Sequence, residues 1–108
     1  MDKRYNAVSI QEQIQMREKA YADVLANPQW SLRESVLHIK KVMRLTTTDI
    51  AKLSKLGYRT VQDIESGASL GTVKTMNQIF GIIGLRLGVV SRNSEGGQVS
   101  SAIASSGN

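Results

Sequence analysis

Residues 46–67 read Thr46-Thr-Thr-Asp-Ile50-Ala-Lys-Leu-Ser-Lys55-Leu-Gly-Tyr-Arg-Thr60-Val-Gln-Asp-Ile-Glu65-Ser-Gly67, and this stretch decides the fold. Thr46 with Asp49 three residues on makes a capping box, and Leu45 and Ile50 stand at the two positions of a hydrophobic staple across it. A helix over about 47–55 follows, burying Ile50, Ala51 and Leu53. Gly57 precedes a second helix of about two turns, 58–65, which stops before Gly67. So short a helix depends on its neighbours for stability. Val61 and Ile64 anchor it inward, leaving Tyr58, Arg59, Gln62 and Asp63 outward. Ala51 is small where the two helices cross.

The flanking segments supply the rest of the bundle. Ser31 and Glu34 form a second capping box, and Leu32, Val36, Ile39 and Met43 give the helix they open a buried face. After the loop 66–71, a helix over about 72–83 buries Val73, Met76, Ile79, Phe80 and Ile83, with Gly84 as its C-terminal cap. Upstream, residues 1–8 read as a frayed arm, and Ser9 and Glu12 cap a helix over 10–26. Its narrow apolar stripe of Ile10, Ile14, Tyr21, Val24 and Leu25 needs a partner surface, and Asn27-Pro28 ends it. Leu85-Arg-Leu-Gly-Val-Val90 alternates as a half-buried strand does, with no second strand in the chain to pair with. The Ser/Gly/Ala-rich stretch 91–108 has little to bury and reads as a disordered tail.

Composition narrows the function. The 108 residues carry 14 Lys and Arg against 9 Asp and Glu, a net charge of +5, and the whole surplus lies between residues 31 and 90. A compact basic segment points to a polyanionic partner. With no cysteine and one histidine, His38, disulfides, thiolate metal sites and Cys nucleophiles are excluded, and neither a metal nor a cofactor is expected. The apolar run 79–90 contains Arg86 and is too short to span a bilayer. The first thirty residues lack the apolar core of a signal peptide, so a cytoplasmic protein is expected. Gly67-Ala-Ser69-Leu-Gly71 matches the nucleophile-elbow pattern, but a helix precedes it instead of a strand and His38 comes before the serine. No enzyme is read here. Trp30 reads as a hydrophobic plug, and His38 as a surface or packing residue.

Residues 46–67 resemble, without a gap, the helix-turn-helix of the Xre/Cro/lambda-repressor family, whose usual form is T-Q-x-E-L-A-x-x-x-G-V-S-x-x-T-I-S-x-I-E-x-G. Thr46, Asp49, Ile50, Ala51, Leu56, Thr60, Val61, Ile64, Glu65 and Gly67 carry the match, which extends over about 31–84, half the chain. The family's turn glycine falls on Lys55 and its capping serine on Gly57; Lys55 is then expected in a left-handed conformation, at a cost of about 1 kcal/mol. The resemblance implies an all-α, lambda-repressor-like bundle, with 10–26 as an extra N-terminal helix and 85–90 as one short strand. It implies a sequence-specific regulator of transcription that binds double-stranded DNA, a repressor or autoregulator, with helix 58–65 in the major groove.

By position, the implied base-reading residues are Tyr58, Arg59 and Asp63, with Gln62 a further candidate. Arg59 suits guanine O6/N7, and Asp63 either braces Arg59 or accepts from cytosine N4. The implied phosphate contacts are Thr47, Arg44, Thr60 and Ser69, and Lys40 with Glu65 is an implied structural ion pair. The strand after the last helix is similar to HipB-type antitoxins, in which strands of two protomers pair. On that likeness Leu85, Leu87 and Val89 are dimerisation residues, the operator is palindromic, and a toxin protein is a further partner. The competing reading is a protein-binding antitoxin or adaptor module that uses the same helices only as scaffold.

Overall fold

The computed structural model describes residues 9–92, which hold five α-helices and no strand. The helices are α1 (Ile10–Ala26), α2 (Leu32–Val42), α3 (Thr47–Ser54), α4 (Tyr58–Ser66) and α5 (Val73–Phe80), followed by a 3-10 turn, Gly81–Ile83. The fold class is all-α. The frayed arm expected over 1–8 and most of the tail expected from 91 on lie outside the described residues.

Three helices start where local chemistry tells them to. Ser9–Glu12, Ser31–Glu34 and Thr46–Asp49 each close a full capping box, satisfying amides that the first turn leaves without intrahelical partners. Two ends turn on left-handed residues that are not glycine: Arg44 (φ 57°) between α2 and α3, and Lys55 (φ 62°) at the end of α3. Gly67 (φ 88°) ends α4 in the same conformation at no such cost.

The core joins one face of each helix: Ala20 of α1, Val36 and Ile39 of α2, Ile50 and Ala51 of α3, Val61 and Ile64 of α4, Met76, Ile79 and Phe80 of α5, and Ile83. α2 packs on α4 and α5, α3 packs on α4, α5 and the 3-10 turn, and α1 lies across α2 and that turn. Side chains close the ends of neighbouring elements. Arg17 Nε donates to the Ile82 carbonyl at 3.0 Å, Arg33 Nε to the Glu65 carbonyl at 2.8 Å and Gln78 Nε2 to the Ser54 carbonyl at 2.8 Å.

Several positions depart from the sequence reading. Leu53 and Val73, expected in the core, are exposed, and Leu32 is partly exposed. Leu32 and Val73 are the first residues of their helices, at the end of the packed face, and Leu53 lies outside the arc that Ile50, Ala51 and Ser54 mark on α3. The last helix ends at Phe80, and Gly81–Ile83 tightens into 3-10 geometry. Four of the five stripe residues of α1 (Ile10, Ile14, Tyr21 and Leu25) face solvent, and the helix docks instead through Ala20 and Val24.

Residues 85–90 have no ladder partner among the described residues. A strand is defined by hydrogen bonds to another strand, and the described residues of one chain offer none. Leu85 and Leu87 lie half-buried against the chain's own core, and the Leu87 amide donates to Asn77 Oδ1 at 2.7 Å. Val89 and Val90 are exposed.

Candidate nucleic-acid interface

α4 is held from beneath and left open above. Val61 and Ile64, three residues apart, are buried, which fixes the rotation of the helix. That rotation sends Tyr58, Arg59, Gln62 and Asp63 to the other side within a little over a third of a turn. Tyr58, Arg59 and Gln62 are exposed and Asp63 is partly so. The N-cap, Gly57, has no side chain to cover the first turn, so Tyr58 and Arg59 stand clear of the neighbouring backbone. Arg59 Nε lies 3.2 Å from Asp63 Oδ1, one turn along. The pair sits in water and adds little stability; its effect is to restrict where the guanidinium points.

Behind this face lies a small polar network. Lys40 Nζ stands 3.1 Å from Glu65 Oε1, Thr47 Oγ1 donates to the same oxygen at 2.8 Å, and Lys40 donates to Thr47 Oγ1 at 3.1 Å. The Glu65 side chain is only 10% exposed, and its Oε2 is buried with no hydrogen-bond partner. The network ties α2, the first turn of α3 and the last turn of α4 together. Arg33 reinforces it from α2 through the Glu65 carbonyl, a carbonyl left over at the helix end.

The expected phosphate contacts separate. The Thr47 hydroxyl is engaged with Glu65, leaving that residue's main chain at the first turn of α3. Thr60 and Ser69 are exposed. The loop carrying Ser69 is stitched to α4: the Ser69 amide donates to the Asp63 carbonyl at 3.1 Å, and Ser69 Oγ accepts from the Gly71 amide at 3.0 Å. Arg44 is exposed and lines a shallow hollow with Glu12, Gln15, Met16 and Lys19 of α1.

Lys74 was not singled out from sequence, although it belongs to the basic surplus with no acid near it in the chain. It is exposed in the first turn of α5, directly after the loop, together with Leu70 and Val73. Among the described residues no group of three His, Cys, Asp or Glu side chains is placed to hold a metal ion, and no helix is long and apolar enough to cross a membrane. No family model, curated protein or solved structure matches the chain.

Proposed function

We propose that α3, residues 55–57 and α4 form a helix-turn-helix, and that the chain is a sequence-specific regulator of transcription that binds double-stranded DNA. The observation that carries this reading is the outward face of α4. Tyr58, Arg59, Gln62 and Asp63 project from a helix whose opposite side is locked into the core by Val61 and Ile64. A helix so mounted fits a major groove, where each base pair presents its own pattern of donors and acceptors. Arg59, braced by Asp63, suits guanine. The start of α3, Thr60, Ser69 and Lys74 surround that face and would hold phosphates.

The regulator acts as a repressor of its own operon from the nucleoid in the cytoplasm. Two copies related by a two-fold axis bind a palindromic operator with half-sites about 34 Å apart. Pairing of residues 85–90 between copies supplies the strand partner that is absent among the described residues of one chain, and it covers Val89. The narrower option is the antitoxin of a toxin–antitoxin pair. The competing module that binds only protein draws on the exposed α1 stripe.

Fluorescence anisotropy against the duplex upstream of the protein's own gene, beside a scrambled duplex and across a salt series, separates these readings. A preference of about a thousandfold or more is expected, with a salt slope that counts the phosphate contacts. Equal, weak, salt-sensitive binding to both duplexes would overturn the proposal.

A further inference from the structure

Four apolar side chains of α1 face solvent: Ile10 is 76% exposed, Ile14 52%, Tyr21 43% and Leu25 54%. At about 100° per residue they fall in a stripe roughly 60° wide. The stripe lies beside the face that takes Ala20 and Val24 to the core. It does not stop at the helix end, because Leu25 also lines a cavity of about 180 Å³ with Leu32, Leu85 and Leu87. The exposed Val89 and Val90 follow in the chain. The exposed parts of the four α1 residues come to roughly 400 Å², about half of what one partner buries in a standard interface. Apolar surface of that extent marks an interaction site.

We infer that this stripe is a self-docking surface, on which the α1 helix of a second copy lies antiparallel about a two-fold axis passing between residues 17 and 18. A two-fold contact requires a patch complementary to itself. The numbers 10, 14, 21 and 25 advance by steps of four, seven and four, and so read the same in both directions. Reversal about their midpoint sets Ile10 opposite Leu25 and Ile14 opposite Tyr21, and it places opposite helix-dipole ends side by side. Arg17, at the middle of the helix, is drawn to its own chain by the bond to Ile82 and leaves the seam apolar. Glu18 stands on the outer rim, where the two copies bring like charges together across the axis. A lipid surface fits less well. α1 carries Glu12, Glu18 and Asp23 against Arg17 and Lys19, without the basic face that anchors a helix to anionic lipid.

The chain has no cysteine, so site-specific cross-linking of the full-length protein tests the geometry directly and without DNA. Chains bearing Ile14→Cys, mixed with chains bearing Tyr21→Cys, are expected to form a disulfide-linked heterodimer under mild oxidation, in preference to either homodimer. Sedimentation equilibrium is expected to give twice the 11.8 kDa chain mass. Ile14→Asp should weaken the dimer by about tenfold or more, with helix content retained by circular dichroism, while Glu18→Gln should tighten it severalfold.

A monomer at micromolar concentration would overturn the inference. So would cross-linking confined to the 14–14 and 21–21 pairs, or a dimer abolished by Val89→Asp and indifferent to Ile14→Asp. Because no step involves DNA, failure here leaves the DNA-reading face of α4 standing; a monomer would remove the two-fold operator complex as well, whereas a dimer indifferent to Ile14→Asp would remove this inference alone.

Discussion

Lys40 and Glu65, 25 positions apart in the chain, meet at 3.1 Å between Nζ and Oε1, and Thr47 closes the triangle from a third helix. The contact sets the angle at which α4 leaves the body of the protein, because it joins the last turn of α4 to α2 and to the first turn of α3. The orientation of the exposed face therefore depends on a polar cluster at the flank of the same helix, between that face and the buried Val61 and Ile64.

Lys40→Met should destabilise the fold by about 2 kcal/mol, since it leaves a largely buried carboxylate without its cation. Thr47 Oγ1 still donates to Oε1, but Oε2 has no partner, so a neutral hydroxyl is all that remains for the buried charge. Urea unfolding of the two single variants and of Lys40→Met/Glu65→Gln would check this. The double variant should lose less than the sum of the singles.

Arg59→Ala should weaken operator binding by roughly 1–3 kcal/mol and relax one base position. Its effect on stability should stay within about 0.5 kcal/mol, because the side chain is exposed. Equal loss on operator and random duplex in anisotropy titrations would reassign Arg59 to a phosphate.

Two turns carry non-glycine residues in the left-handed region, Arg44 and Lys55. Lys55→Gly should stabilise the protein by about 1 kcal/mol by relieving that conformation. Gly67→Ala should do the opposite by a similar amount: its φ is 88°, a conformation that strains any residue with a Cβ, although the nearest neighbour, Arg33 Nε at 3.6 Å, stands at ordinary contact distance. Thermal denaturation of the two variants should move the midpoint in opposite directions.

The hydrogen bond from His38, and then that from Lys19, lowers the Asp23 carboxyl below its ordinary value of 3.8. A carboxyl depressed in the folded state stabilises it above that ordinary value, and the stabilisation is lost as pH falls through the lowered one. Acidification into this range should loosen α1 from α2. Trp30, whose ring centroid lies 4.8 Å from that of His38, reports the change by fluorescence, and Asp23→Asn should flatten the response.

Where the helices begin was legible in the sequence because it depends on neighbours three residues away. Ser9–Glu12, Ser31–Glu34 and Thr46–Asp49 need no tertiary partner to form their boxes. The inward rotation of α4 was legible for the same reason, since Val61 and Ile64 leave one way to bury two apolar groups on two turns. The exposed face then follows by subtraction.

What only the tertiary structure decided are the contacts between segments distant in the chain. Arg33 on the Glu65 carbonyl, Gln78 on that of Ser54 and Asn77 on the Leu87 amide have no local signature. The Thr47 hydroxyl turned to Glu65, Arg44 set beside α1, and Leu53 and Val73 left in solvent depend equally on which element lies alongside. Local periodicity determines that a face is apolar; burial requires a second surface, and its position is a property of the whole packed chain. The α1 stripe shows the difference most plainly: its residues lie on one face by helical geometry, but that face docks on nothing within the described chain.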